Sequence, residues 1–149
     1  KSTPNFRLLE KEAVRIGGGH NHRMGLYDMI MLKDNHIDYA GGLENAIEKA
    51  WLYVQNVKPD LKIEVETRSV DEVRRVVATG KVNRVMFDNF SIAQIREAMG
   101  VINGRLETEA SGGINLTNIR EYADTGVDYV SVGALIHQAR SLDMSLKAV

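Results

Sequence analysis

Lys1, His22, Arg23 and Lys33 put four side chains that can carry positive charge in the first quarter of the sequence. Their natural partner is a small ligand bearing several negative charges. An arginine grips a carboxylate or phosphate with two parallel hydrogen bonds, whereas a lysine acts as a point charge. A histidine joins such a set as a cation only where neighbouring anions favour its charged form. Further along stand Glu66 and Asp88. Two carboxylates brought face to face repel unless a cation lies between them. Mg2+ suits hard oxygen ligands and keeps places for water and ligand phosphates. Glu64 competes with Glu66 for this role, because strand alternation puts both on one face. Ser111-Gly112-Gly113 and Gly133 each precede a predicted helix, where exposed N–H groups and the helix dipole cradle a phosphate. Each feature also has an ordinary reading as surface charge, a packed histidine or a turn glycine. In combination the two glycine turns favour phosphate. A glycosidase-like carboxylate pair fits less well, since the cations argue against a neutral sugar.

These groups need elements to position them. Phe6, Leu9, Ala13 and Ile16 recur at helical spacing before Gly17. Gly17 to Gly19 suit a helix end and tight turn, and match neither a dinucleotide fingerprint nor a P-loop. Strands are predicted over 27–32, 62–66, 84–87, 106–109 and 129–132. Between them lie helices over 43–57, after Ser69, after Ser91 and after Asn115, with a last one over 135–142. Ser69-Val-Asp-Glu72 and Ser91-Ile-Ala-Gln94 read as capping boxes. Strand and helix alternate throughout, which means a parallel sheet covered by helices.

The strand ends at Glu66, Asp88, Ala110 and Gly133 fall 22, 22 and 23 residues apart. Such regular units favour an incomplete TIM-like barrel, with a doubly wound sheet as the alternative. Five strands are visible, and a closed barrel uses eight over about 250 residues. Polar groups gather where the strands end: Lys33, Glu66, Asp88, Ser111-Gly112 and Gly133. That carboxyl end is where parallel α/β folds hold their chemistry.

Composition narrows the field. The chain has 149 residues, 44% of them hydrophobic, a formal net charge of -1 and no cysteine. One globular domain fits; disorder does not. Near-neutral charge argues against a general nucleic-acid binder. No apolar run approaches bilayer length. Without cysteine there is no thiolate nucleophile or disulfide, which fits a cytoplasmic location.

The stretches K-S-T-P (1–4), R-x-G-G-G-x-N-H-R-x-G-L (15–26), K-D-N-H (33–36), E-V-E (64–66), D-N-F (88–90), E-A-S-G-G-I (109–114), T-G-V-D (125–128) and S-V-G-A-L-x-H (131–137) run almost end to end. With them the chain resembles the C-terminal barrel domain of quinolinate phosphoribosyltransferase, also called nicotinate-nucleotide pyrophosphorylase (carboxylating). The resemblance implies Mg2+-dependent transfer of a phosphoribosyl group from phosphoribosyl pyrophosphate to quinolinate. Pyrophosphate and CO2 leave, and nicotinate mononucleotide forms on the route to NAD. It further implies a barrel of roughly six strands preceded by an N-terminal α/β sandwich that residues 1–149 do not include. The expected assembly is a homodimer or a set of dimers, with the neighbour helping to close each site. The fragment by itself is expected to be inactive or nearly so.

Residue by residue, the resemblance gives Lys1, His22, Arg23 and Lys33 to the substrate anions. Glu66 and Asp88 go to the ribose hydroxyls and Mg2+, and Ser111, Gly112 and Gly133 to the 5′-phosphate. It also chooses Glu66 over Glu64. Asn5-Phe6, Ser2 and Thr67-Arg68 depart from the usual family residues without removing a proposed catalytic group.

Overall fold

The computed structural model describes residues 2–140 and 142–148. In chain order its elements are α1 (Arg7–Ile16), β1 (Met29–Leu32), α2 (Asp34–Ala40), α3 (Leu43–Val57), β2 (Lys62–Thr67), α4 (Val70–Thr79), β3 (Arg84–Asp88), α5 (Ile92–Ile102), β4 (Glu107–Ser111), α6 (Ile119–Ala123), β5 (Tyr129–Val130) and α7 (Ala134–His137). The chain divides into two compact units. Asn21–Val132 holds all five strands and α2 to α6; the residues before and after it form the other unit, with α1 and α7.

The five strands form one parallel sheet in the order β1-β2-β3-β4-β5. Spatial order therefore follows sequence order without the reversal that defines a doubly wound sheet. Helices α3, α4 and α5 pack side by side. The result is a singly wound, open segment of a TIM-like barrel.

Strand alternation divides the sheet into two unlike faces. Ile63, Val65, Val85, Phe87 and Ala110 are almost fully buried in one core with Ile47 of α3, Val73 and Val76 of α4, and Ile95 and Ala98 of α5. The opposite face carries Lys62, Glu64 and Glu66 from β2, Arg84, Met86 and Asp88 from β3, and Glu107, Glu109 and Ser111 from β4. Apolar burial on the helix side supplies the driving force. It leaves the charged face for chemistry.

Caps explain where the helices start. Ser91 Oγ accepts from the Gln94 N–H, and Gln94 Oε1 accepts from the Ser91 N–H at 2.9 Å, closing the predicted box. Only half of the Ser69 box forms: Ser69 Oγ accepts from the Glu72 N–H, but Glu72 turns to the Arg68 N–H. Ser91→Ala is expected to cost about 1 kcal/mol. Urea unfolding would check it, and an unchanged midpoint would show that the cap contributes nothing.

Three expectations change. Helix α2 was not anticipated. The predicted helix after Asn115 begins only at Ile119, because Asn115 Oδ1 accepts from the Thr117 N–H in a turn of its own. The last helix spans only Ala134–His137, and the described residues beyond it carry no helix. Leu142, the last residue of the predicted helix, is exposed. A short helix without a packed face is not stable.

Candidate functional site

The carboxyl ends of β1 to β4 bring several predicted residues together. Lys33 directly follows β1, and its ammonium pairs with Glu66 near the end of β2. Register places Glu66 beside Met86, and Asp88 lies two residues further along β3 on the same face. Asp88 pairs with Ser111 in the sheet. Asn89, next to Asp88, adopts a left-handed φ of 56° and donates its N–H to the Ser111 carbonyl at 2.8 Å. Gly112 has φ 100°. A Cβ there would stand 2.8 Å from the Asn89 backbone nitrogen, so only glycine lets the two turns touch. A second ion pair, Arg68 with Asp34, lines the same rim.

Two predicted residues lie elsewhere in this unit. Arg23 Nη1 donates to the carbonyl of Met29, the first residue of β1, at 3.2 Å. His22 reaches the middle of the polar face: its Nε2 is 2.8 Å from Glu64 Oε2 and 3.6 Å from Glu109 Oε2. Gly133 belongs to the other unit, with an ordinary φ of -66° at the start of the four-residue α7, too short to carry an N-terminal anion site. Lys1 lies outside the described residues.

Beneath the rim is a charged layer. Glu64 and Glu109 are fully buried. Arg84 donates to Glu109 at 3.2 Å and to Glu107 at 2.9 Å, and its guanidinium lies 4.1 Å from the centre of the Tyr129 ring. Ser131 donates to Glu109. Glu64 Oε1 has no hydrogen-bond partner among the described residues. An open hollow of about 640 Å3 lies at the amino ends of the strands, lined by Lys62, Asn83 and Glu107 among others. It contains none of the predicted site residues.

A family profile described as "Quinolinate phosphoribosyl transferase, C-terminal domain" matches residues 1–147. The chain belongs to the quinolinate phosphoribosyltransferase family. It is 44% identical over 161 residues to "Quinolinate phosphoribosyltransferase [decarboxylating] 2b, mitochondrial" of Nicotiana tabacum, covering 99% of this chain and 46% of that protein. To the probable nicotinate-nucleotide pyrophosphorylase [carboxylating] of Bacillus subtilis it is 43% identical, covering 98% and 49%. The crystal structure of NadC from Streptococcus pyogenes superposes with a TM-score of 0.90 at 47% identity, covering 99% of this chain and 50% of that one. The chain thus spans about half the length of the relatives it matches.

Within this family fold, buried Arg84 and Glu109, with their half-buried partner Ser131, are what reading the residues did not single out. The signal was present in R-V-M-F-D and E-T-E-A-S, where charged residues alternate with apolar ones on neighbouring strands. No helix among the described residues is long and apolar enough to cross a membrane.

Burial, and then the charge of Glu64, push the Glu109 carboxyl up; the Ser131 hydrogen bond and His22 oppose them. Its folded pKa therefore exceeds the unfolded value of about 4.3. Between those two values the folded state binds more protons than the unfolded state. This contribution to stability is complete below about pH 4.3 and is lost as pH rises through the folded value. The carboxylates with lowered pKa act in the opposite sense and at lower pH, as for Glu44, held at about 2 chiefly by its hydrogen bonds from Arg75. Glu109→Gln should remove the downward slope above pH 4.3. Denaturant midpoints measured against pH would test this; identical slopes in the two proteins would contradict it.

Proposed function

We propose that this chain supplies the barrel half of a quinolinate phosphoribosyltransferase. The enzyme transfers the phosphoribosyl group of phosphoribosyl pyrophosphate to quinolinate, with decarboxylation, giving nicotinate mononucleotide, CO2 and pyrophosphate for NAD biosynthesis. The observation that carries this reading is the meeting of the Lys33–Glu66 pair, Asp88 and the interlocked Asn89 and Gly112 turns at neighbouring strand ends.

Each part has a job in that reaction. Lys33 and Arg23 supply positive charge for the two carboxylates of quinolinate. One hydrogen bond to Met29 leaves a guanidinium with further donors for this purpose. The turn from Ser111 to Gly112 approaches the 5′-phosphate closely because Gly112 has no side chain. Lys1 is assigned to the anionic substrates. Glu66 and Asp88 hold the ribose and favour the positive charge that develops at its anomeric carbon. Their oxygen donors also fit Mg2+, which when bound would neutralise charge on pyrophosphate.

The pyridine nitrogen attacks the anomeric carbon as the bond to pyrophosphate breaks. No side-chain nucleophile is required when two reactants are held in line. The positive ring nitrogen then stabilises the carbanion left on the neighbouring ring carbon when its carboxylate departs as CO2, and a proton from water replaces the lost carboxylate there. Lys33 must therefore bind a carboxylate without preventing its loss.

The active form is a homodimer or an assembly of dimers at the family's full length, in the cytoplasm. The 149-residue chain alone turns over slowly or not at all, since its relatives are about twice as long. The test is product analysis on protein of full family length carrying this sequence, given quinolinate, phosphoribosyl pyrophosphate and Mg2+. CO2 and nicotinate mononucleotide should appear together. A nucleotide that keeps both carboxylates would indicate a non-decarboxylating transferase, and no product would reject the reading.

A further inference from the structure

The family resemblance gives His22 to the substrate, but both nitrogens of its ring are engaged by the protein. Nδ1 accepts the Arg23 N–H at 2.8 Å, so the ring hydrogen sits on Nε2. Nε2 in turn donates to Glu64 Oε2 at 2.8 Å, with Glu109 Oε2 3.6 Å away. These two carboxylates are rooted in β2 and β4 and are fully buried, and Glu109 is fixed by Arg84 and Ser131. The segment that His22 begins is held at further points. Asp28 accepts the N–H groups of Met24 and Gly25, and Lys58 donates to the Tyr27 carbonyl.

We propose that Glu64 and Glu109 are positioning residues that clasp His22 to the polar face of the sheet, and that His22 acts on quinolinate only by fixing Arg23.

A histidine that bound a substrate carboxylate would need an N–H pointing at it. Here the one ring N–H points into the sheet. The backbone N–H of Arg23 rests on the other ring nitrogen, so moving the imidazole moves the start of the Arg23 residue. Glu64 is required as an acceptor for Nε2–H, which glutamine also provides. Its Oε1, lacking a partner, tolerates becoming an amide donor beside Glu109.

This inference rests on the proposed function for its substrate, and the test separates the two. In protein of full family length, His22→Ala and Glu64→Ala should each raise KM for quinolinate about tenfold, and the double variant should be no worse than the worse single. KM for phosphoribosyl pyrophosphate should stay within about threefold, which general loss of structure would not allow. Glu64→Gln should restore quinolinate KM to within about threefold of the parent. Effects that multiply in the double variant would overturn the clasp by showing that His22 acts independently. So would a Glu64→Gln protein as impaired as Glu64→Ala, and this variant decides if Glu64→Ala does not fold. If the parent turns over no quinolinate, the proposed function fails while the clasp is still judged by 15N spectra of the His22 ring. The hydrogen should reside on Nε2 and move in Glu64→Ala, but not on adding quinolinate. A ring unchanged by Glu64→Ala overturns the clasp.

Discussion

Lys33→Ala should lower turnover about 100- to 1,000-fold, the range seen when one preorganised charge or donor is removed from a reacting centre. The fold should survive. The Lys33 side chain is 43% exposed, and its backbone N–H, which donates to His36 Nδ1 at 3.0 Å, is untouched by the change. What is lost is the ammonium between Glu66 and the place proposed for the departing carboxylate. With it gone, Glu66 stands beside two anionic substrates without compensation, so binding and chemistry both suffer. Lys33→Arg should recover little, because a planar guanidinium cannot reproduce a point charge at the Glu66 carboxylate. Steady-state kinetics at full family length, with circular dichroism to confirm folding, would measure this. Unchanged kinetics would remove Lys33 from the mechanism.

The second large effect falls on Gly112. Gly112→Ala forces a Cβ to 2.6 Å from Asn89 Cγ and 2.8 Å from the Asn89 backbone nitrogen, at a φ of 100° that an L residue avoids. Backbone strain and overpacking together should cost about 2–3 kcal/mol. Asn89 has no easy retreat, since its N–H is bonded to the Ser111 carbonyl. The neighbouring glycine supplies the control. Gly113 also has a positive φ, 62°, but open space surrounds its missing Cβ. Gly113→Ala should therefore cost only about 1 kcal/mol. Equal losses in denaturant midpoint for the two variants would show that strain, and not the contact with Asn89, sets the requirement at Gly112. The same substitution should weaken phosphoribosyl pyrophosphate binding more than quinolinate binding, because the displaced turn is the one proposed to hold phosphate.

The strands were legible because their apolar residues alternate with charged ones and recur at a near-constant period. Helix α3 was legible from Leu43, Ile47, Ala50 and Val54 on one face, four of the five residues it buries. Helix α2 was not. Lys33-Asp34-Asn35-His36 reads as loop chemistry, and no Ser or Thr marks the start; instead the His36 ring turns back to accept the Lys33 N–H. The monotonic strand order decided between barrel and doubly wound sheet, and no local pattern encodes that order. Lys33 with Glu66, and Asp88 with Ser111, could be placed from strand ends alone. Arg23 could not, since a loop residue takes its position from long-range contacts: its guanidinium reaches back to Met29, and its preceding histidine is drawn down to Glu64. The buried layer beneath was hidden for a similar reason. Glu109 and Arg84, charged residues on neighbouring strands, look like surface until something covers them.

A crystal structure at full family length, with quinolinate, Mg2+ and an inert analogue of phosphoribosyl pyrophosphate, tests the central claim most directly. The ribose and pyrophosphate should lie against Glu66 and Asp88, the 5′-phosphate in the turn at Ser111 and Gly112, and a quinolinate carboxylate on Lys33. Ligands seated instead in the hollow at the amino ends of the strands, beside Lys62 and Asn83, would contradict it.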